Sequence, residues 1–217
     1  MGPATAGTVL DQALFCFALK EEAKFFAQGS SDVLITGIGA GNAENRLKER
    51  LEKKSYRVVL TCGFAGALNP DLPVGTVLFQ ADDASSLSDS LLEAGASPAK
   101  FHFSDRVAIT AAEKKALREF SGADAVEMES QVIRSLCKAL KIPSATVRVI
   151  SDAADESLPL DFNALMSADQ KLNYGRLLLD VLGSPQKIPA LLRLQRQTKL
   201  AARNLGEVLV KLIQCRA

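Results

Sequence analysis

Residues 32–61 read DVLITGIGAGNAENRLKERLEKKSYRVVLT, and this stretch decides the fold class. Residues 32–36 have the composition of a buried strand and run directly into a glycine-rich turn at 37–41. The charged segment 42–53 carries two leucines four positions apart, which is a helical spacing, and a second apolar run follows at 57–61. Strand, turn, helix and strand in succession are typical of a mostly parallel α/β sheet.

The same alternation extends on both sides of that stretch. Apolar runs at 14–19, 75–80, 107–110 and 145–150 predict further strands, and the periodicity predicts helices at 20–27, 112–120 and 130–140. Residues 62–68 have the composition of a glycine-bearing turn, and 82–97 that of an exposed loop or a frayed helix. From about residue 167 the pattern is helical, with a break at 183–185. No linker interrupts the chain, so residues 1–217 are predicted to form a single α/β domain with a helical C-terminal segment.

Composition excludes several classes of protein. The net charge is +1 and tryptophan is absent, which argues against a nucleic acid partner. His102 is the only histidine in the sequence and no CxxC pair occurs, so neither a metal site nor a metal cofactor is expected. The four cysteines lie far apart, as is usual for reduced thiols, and the longest apolar run is 13–19. We therefore expect a cytoplasmic protein without a membrane span.

Ligands of open α/β sheets bind beyond the carboxyl ends of the strands, so the polar residues at those positions are candidates. The glycine-rich turn at 37–41 is the first of them. A dinucleotide fingerprint requires glycine where Asn42 stands, and no P-loop signature follows, so both of these interpretations fail. Two remain: a tight strand-to-helix connection, or a nest of backbone amides that faces an anion or a sugar.

Two acidic motifs are further candidates. Glu127 and Glu129 flank Met128 and are either charges at a helix N-terminus or ligands for vicinal hydroxyls. Asp152, with Ser151 before it, ends an apolar strand. It is either a capping residue or a general acid whose proton affinity is raised by burial.

Four segments in this order, TGIGAGNAE, TCGFAGAL, GADAVEMES and VRVISDAAD, resemble the nucleoside phosphorylase and nucleosidase superfamily. The resemblance covers roughly residues 13–155. With ITAAEKKAL and SLPLDF added, the chain looks most like the hopanoid-associated phosphorylase branch. This resemblance implies a three-layer α/β/α domain around a central mixed, mostly parallel sheet, and it implies a homo-oligomer.

The resemblance also implies roles for individual residues. Glu129 would bind the ribose 2′- and 3′-hydroxyls, with Met128 lining the sugar and base pocket beside Glu127. Asp152, oriented by Ser151, would protonate N7 of the departing purine. Glu22 matches the carboxylate that activates water in the nucleosidases. The remaining expected contacts, to phosphate, are Thr61 and the amide of Gly39.

The nucleophile is left open by the sequence. The branch resemblance favours phosphate as a co-substrate by a narrow margin, whereas the strand that begins Arg57-Val58-Val59 lacks an arginine that phosphorylases place near phosphate. The expected function is cleavage of the N-glycosidic bond of a purine nucleoside with adenine as the expected base. Release of adenine from adenosylhopane is the most specific candidate reaction. A methylthioadenosine/S-adenosylhomocysteine-type nucleosidase and a non-catalytic nucleoside-binding protein are the alternatives, and a dinucleotide-dependent redox enzyme is a weaker one.

The C-terminal helix carries a row of cations. Arg193, Arg196, Lys199 and Arg203 are spaced three, three and four apart, and no acidic residue lies between Pro185 and Gly206. A solvated face is one interpretation. Peripheral contact with an anionic membrane surface is the other, because a substrate such as adenosylhopane would reside in a membrane.

Overall fold

The structure is a computed structural model that describes residues 9–26, 31–82, 87–165 and 184–214. Its strands in these ranges are β1 (Ala13–Phe17), β2 (Asp32–Ile35), β3 (Val58–Ala67), β4 (Val77–Ala81), β5 (Ser97–Pro98), β6 (Phe101–Phe103), β7 (Ala125–Glu127) and β8 (Ser144–Asp152). The helices are α1 (Lys20–Ala23), α2 (Ala40–Lys53), α3 (Ser88–Ala94), α4 (Ala111–Ser121), α5 (Ser130–Ala139), α6 (Phe162–Leu165) and α7 (Ile188–Gln214).

The strands form one mixed sheet in the order β2-β1-β3-β8-β4-β5. Strands β2, β1, β3 and β8 are mutually parallel, β4 runs antiparallel to β8, and β5 runs parallel to β4. The far end of β3 also pairs with β7, which in turn pairs with β6. The carboxyl ends of β1, β2, β3 and β8 therefore meet at one edge of the sheet, as the α/β pattern predicts.

Helices cover both faces of this sheet. On one face, Phe15, Phe17, Leu60 and Val147 pack with residues of α7 such as Leu205. On the other face, a second cluster joins β1 and β3 to α2 and α5 through buried residues that include Cys16, Leu47, Val59, Ile133 and Cys137. The fold is a single α/β domain with helices on either side of the sheet, in agreement with the expected class.

A bulge interrupts the pairing of β3 with β8. Ala65 pairs with Ile150, but the next residue of β3, Gly66, pairs with Asp152. Ser151 is thus an extra residue on β8. Such insertions bend a strand and redirect the side chains beside them.

Three expectations about local structure are wrong. Residues 62–68 are not a turn, because Cys62 to Ala67 continue β3 and their backbone groups pair with β8 and β7. The segment 107–110 is not a strand, since Asn163 bonds Val107 and Glu113 accepts from Ile109 in an irregular connection. Within 82–97 the helix alternative is right for 88–94, but the exposed-loop alternative is wrong there, because α3 buries Leu91 and Ala94.

The C-terminal segment is helical over Ile188–Gln214, after a short 3-10 turn at Pro185–Lys187. The predicted helix start near residue 167 and its end near 183 lie outside the described residues. No helix in the described ranges combines the length and the apolar character that crossing a membrane requires.

Candidate active site

A cavity of about 230 Å³ opens at the carboxyl edge of the parallel strands. Its walls come from the ends of β1, β3 and β8, from β7 and the residues after it, and from α7. Six of the residues singled out from the sequence line it: Glu22, Glu127, Met128, Glu129, Ser151 and Asp152. Sequence positions more than a hundred residues apart are therefore brought to one cavity.

Glu22 is a buried carboxyl on the short helix α1, directly after β1. Its Oε1 accepts a hydrogen bond from the Phe64 amide and its Oε2 accepts one from the Leu19 amide, each at 2.8 Å. Burial raises the pKa of Glu22 to about 7, with the nearby Glu129 adding to the rise and Arg148 opposing it. A carboxyl with this pKa exchanges protons readily at neutral pH, as a general base must.

Arg148, at the middle of β8, is the charge that organises the acidic side chains. Its Nη2 lies 2.6 Å from Glu127 Oε2 and 3.3 Å from Glu129 Oε2, and it donates to Thr61 Oγ1 at 3.2 Å. Burial alone would lower the pKa of this guanidinium, but Glu127 and Glu129 outweigh it and raise the pKa above its usual value. Arg148 is thus a fixed, buried cation beneath the cavity.

Glu127 has its hydrogen-bonding capacity filled by the protein. It accepts from Arg148 and from the Ser130 hydroxyl and amide at 2.6, 2.6 and 2.8 Å, and from the Glu129 amide at 3.1 Å. These bonds hold the turn that starts α5. Although Glu127 borders the cavity, its contacts fit a residue that positions Arg148 and Glu129.

Glu129 is the carboxylate with spare acceptor capacity. Its Oε1 accepts from the Gly39 amide at 2.9 Å, and its Oε2 receives only the long contact from Arg148 at 3.3 Å. Burial raises its pKa, and the neighbouring Glu127 adds to that rise while Arg148 opposes it. The side chain can still accept hydrogen bonds from a polar ligand in the cavity.

Asp152 lies at the end of β8 with a partner on each carboxylate oxygen. Ser151 Oγ donates to Oδ1 at 2.6 Å, and Lys114 Nζ donates to Oδ2 at 2.5 Å. Lys114 comes from α4 and is completely buried. The carboxyl is therefore held on both sides while it faces the cavity.

Gly63 allows the acidic and basic groups to approach each other. A Cβ at this position would lie 2.5 Å from Arg148 Nη1 and 2.6 Å from Glu22 Oε1. Such distances are far below van der Waals contact, so either Arg148 or Glu22 would have to move. The glycine in the TCGFAGAL segment keeps them close.

The structure places Thr61 and Gly39 behind the cavity rather than on its wall. Thr61 accepts from Arg148, and the Gly39 amide is used by Glu129, so both act on other residues of the site. Neither is among the residues that line the cavity.

Sequence reasoning assigned no role to Arg148 or Lys114. A signal existed for Arg148, because one arginine stands inside the apolar run ATVRVI. The sequence gives little indication that Lys114 is buried, because Lys115 follows it in a charged helix. Only its position on the inner face of α4 distinguishes it from its neighbour.

A larger groove of about 1070 Å³ lies elsewhere, lined by cations that include Lys100, Arg134, Lys138 and Lys141. Its walls carry none of the predicted catalytic or substrate-binding residues. In the described parts of the chain, no three His, Cys, Asp or Glu side chains are grouped so that they could hold a metal ion. The acidic side chains singled out from the sequence are instead concentrated at the smaller cavity.

Comparison with known proteins agrees with this fold. Residues 94–182 match the family model described as the phosphorylase superfamily. The aminodeoxyfutalosine nucleosidase of Campylobacter jejuni is 26% identical over an alignment covering 69% of this chain and 80% of that protein. The 5′-methylthioadenosine/S-adenosylhomocysteine nucleosidase of Glaesserella parasuis is also 26% identical, covering 62% of this chain and 73% of its own length.

A solved structure extends the similarity to nearly the whole chain. The 5′-methylthioadenosine/S-adenosylhomocysteine nucleosidase of Campylobacter jejuni superposes with a TM-score of 0.67 at 19% identity, covering 94% of this chain and 98% of that one. The likeness in structure concerns the fold, and the family match concerns the segment that holds α4, β7, α5 and β8. Together they show a nucleosidase-like fold across nearly the whole chain and a match to the phosphorylase superfamily over residues 94–182.

Proposed function

We propose that this protein hydrolyses the N-glycosidic bond of a purine nucleoside, with adenine as the base. The observation that carries the proposal is the sharing of one cavity by Asp152, Glu129 and Glu22. Cleavage of the bond between C1′ and N9 leaves a purine anion and an oxocarbenium-like sugar. An enzyme must therefore protonate the base, stabilise the sugar cation and supply a nucleophile.

Asp152 is the group proposed to protonate the base at N7. It is the last residue of the buried strand β8, it is only 6% exposed, and Ser151 fixes one of its oxygens. A proton placed on the departing purine converts a poor leaving group into a neutral one. General acid catalysis of this kind contributes about 10²–10⁴-fold to the rate.

Glu129 is proposed to accept hydrogen bonds from the two ribose hydroxyls, and Met128 to pack against the sugar and the base. Support comes from the free acceptor capacity of Glu129 and from the position of both residues on the cavity wall. An ionised carboxylate beside the ribose also favours positive charge as it develops at C1′.

Glu22 is proposed to take a proton from the attacking water. Its pKa of about 7 suits a base at neutral pH.

The charge of the side chains around the cavity also favours water over phosphate as the nucleophile. Four carboxyl side chains border the cavity, the cations Arg148 and Lys114 are already bound to carboxylates, and Arg106, also on the wall, pairs with Glu113. A phosphate dianion would meet more negative than uncommitted positive charge.

The relatives support the same reaction class, since two proteins at 26% identity are named as nucleosidases. We extend the proposal to nucleosides with a bulky 5′ substituent, with adenosylhopane as the most specific candidate because of the branch resemblance. Methylthioadenosine is the alternative substrate, because the Glaesserella parasuis relative is named for it.

The test is product analysis by mass spectrometry after incubation with adenosine, methylthioadenosine and an adenosine with a long apolar 5′ group, each with and without phosphate. We expect adenine and the free sugar, independent of phosphate, and a loss of about 10²–10⁴-fold in Asp152→Asn. Detection of a sugar 1-phosphate as the product would show that the reaction is phosphorolysis and not hydrolysis. Tight nucleoside binding without any product would favour a non-catalytic binding protein.

A further inference from the structure

Helix α4 carries a lysine, Lys114, that is completely buried next to the proposed general acid. Its Nζ donates to Asp152 Oδ2 at 2.5 Å, to the Ala153 carbonyl at 2.7 Å and to the Glu156 carbonyl at 2.8 Å. An ammonium group has three hydrogens, so all three are engaged. Lys114 does not line the cavity and reaches it only through Asp152.

The hydrogen bonds around Asp152 raise the question of where its acidic proton comes from. Oδ1 accepts from the Ser151 hydroxyl, and Oδ2 accepts from the Lys114 ammonium. The carboxylate thus accepts on both sides, and a serine hydroxyl is too weak an acid to protonate it. The ammonium is the one neighbour in this arrangement that can give up a proton.

We propose that Lys114 supplies, through Asp152, the proton that the departing purine takes at N7; this inference rests on the proposed function. Lys114 is in this role a positioning and proton-supplying residue that acts through Asp152. It keeps the Asp152 carboxylate oriented before the reaction and protonates it during the reaction.

Asp152, ionised at the start, takes a proton from Lys114 Nζ, which becomes a neutral amine. The C1′–N9 bond breaks, its electron pair goes to the purine, and Asp152 gives the proton to the purine at N7, which returns Asp152 to the carboxylate. Water forms the new bond to C1′ and gives its proton to Glu22. After product release, one proton returns from Glu22 to Lys114 through solvent, which restores both groups.

The contacts of Lys114 suit this change of charge. A neutral amine keeps two hydrogens, and the carbonyls of Ala153 and Glu156 accept both of them. Its lone pair can then accept the hydrogen of a protonated Asp152. Each hydrogen of Lys114 and of the protonated Asp152 therefore has an acceptor while the proton lies on Asp152.

A leaving group that needs no proton distinguishes this role from a structural one. We compare adenosine with 4-nitrophenyl β-D-riboside, since 4-nitrophenolate leaves as a stable anion at neutral pH. Lys114→Gln is expected to lower kcat for adenosine by about 10²-fold or more while changing that for the nitrophenyl riboside less than about threefold. Equal losses on both substrates in a folded variant would overturn the inference.

Lys114→Arg is the variant that separates charge from proton transfer. Arginine retains a positive charge and hydrogen-bond donors but does not release a proton in proteins. We expect it to resemble Lys114→Gln on adenosine. Wild-type kcat in this variant would mean that the positive charge alone is needed, and it would overturn the proton transfer.

A double variant tests whether the two residues act as one unit. Lys114→Gln in the Asp152→Asn background should cost no more than Asp152→Asn alone, because groups in one pathway are not additive. Additive losses would count against the inference. Lys115→Gln is the matched control, since Lys115 is the exposed neighbour on α4 and pairs loosely with Glu119.

These results also separate the inference from the function on which it rests. Adenine release that is equally fast in wild type and Lys114→Gln would leave the proposed function standing and remove the role of Lys114. A folded wild-type protein that releases no base from any purine nucleoside, as followed by product analysis, would overturn both.

Discussion

Arg148 Nη2 lies 2.6 Å from Glu127 Oε2, and both side chains are at most 1% exposed. The pair is therefore a buried ion pair between the middle of β8 and the end of β7. Buried pairs are costly to form, but breaking one by removing a single partner is worse, because it leaves an uncompensated charge. Removal of Arg148 would leave more than one carboxylate without its cation, since Glu129 and Glu22 also lie close to the same guanidinium.

We predict that Arg148→Met lowers the free energy of unfolding by about 3–5 kcal/mol at neutral pH. The change leaves Glu127 and Glu129 buried without their cation. Urea denaturation followed by circular dichroism measures the loss. Arg134→Met is the control, because Arg134 pairs with Asp82 at a site that is partly exposed, and its loss should be smaller. Equal effects of the two substitutions would contradict the assignment of Arg148 as the organising charge.

Glu129→Ala should reduce kcat/KM for ribosides more than for 2′-deoxyribosides. Only a ribose offers both hydroxyls to Glu129, and removing the acceptor leaves them unpaired. We expect the riboside to lose roughly tenfold more, since a hydrogen bond to a charged group contributes about 1.5–3 kcal/mol. The measurement is steady-state kinetics on adenosine and 2′-deoxyadenosine. A loss that is the same on both substrates would show that Glu129 does not contact the ribose diol.

The pKa of Glu22, raised to about 7, predicts the acid limb of the pH profile. A general base must be ionised, so kcat/KM should fall about tenfold for each pH unit below 7 and level off above it. Glu22→Gln should be nearly inactive at all pH values. Glu21→Gln is the control, because Glu21 is the exposed neighbour on α1. An unchanged acid limb in a partly active Glu22→Gln variant would assign the limb to another group.

The same pKa has a consequence for stability. Because burial raises it above 4.5, the folded state holds the proton more tightly than the unfolded state. The stabilisation from that proton is complete below about pH 4.5 and is lost as pH rises through 7. We therefore expect Glu22→Gln to gain stability relative to wild type between pH 5 and pH 8, measured by urea denaturation at each pH. A constant difference across that range would contradict the burial argument.

The sequence predicted the parallel core of the fold because each of its strands is a continuous apolar run, as in 145–150. It failed at 62–68, where glycines that are typical of turns instead let β3 pass close to Arg148 and Asp152. A small residue in a strand is locally ambiguous, and only the partner that approaches it resolves the ambiguity.

The candidate site was predictable in part for the same reason. Polar residues at strand ends, such as Glu22 and Asp152, stand out against apolar runs, and the structure brings them to one cavity. Their partners do not stand out. The proximity of Lys114 to Asp152 depends on how α4 packs across the end of β8, which no local pattern encodes.

The basic face of α7 predicts salt-sensitive binding to anionic vesicles. Arg193, Arg196 and Lys199 are exposed, and so are Ile188 and Leu192 on the same helix, beside a cavity wall that includes Leu194. Sedimentation with phosphatidylglycerol vesicles at low and high salt measures the binding. We expect changing the three cations to Gln to weaken it, because the attraction is electrostatic.

A control for that experiment removes three cations from another helix, α2: Arg46, Lys48 and Lys53. This variant has the same net charge as the α7 variant, so a general charge effect would affect both equally. Absence of binding by the wild type at low salt would leave the solvated-face interpretation of α7 in place.

The bulge on β8 has a consequence for how this site can vary. Neighbouring side chains of a regular strand point to opposite faces, so a regular β8 would send Ser151 and Asp152 apart. The extra residue is what lets the hydroxyl of one bond the carboxylate of the other at the cavity wall. The contact between these two side chains therefore depends on the number of residues in β8 as well as on their types. Deleting one residue from β8 would remove the bulge and point the two side chains to opposite faces of the sheet, even though both residues were still present.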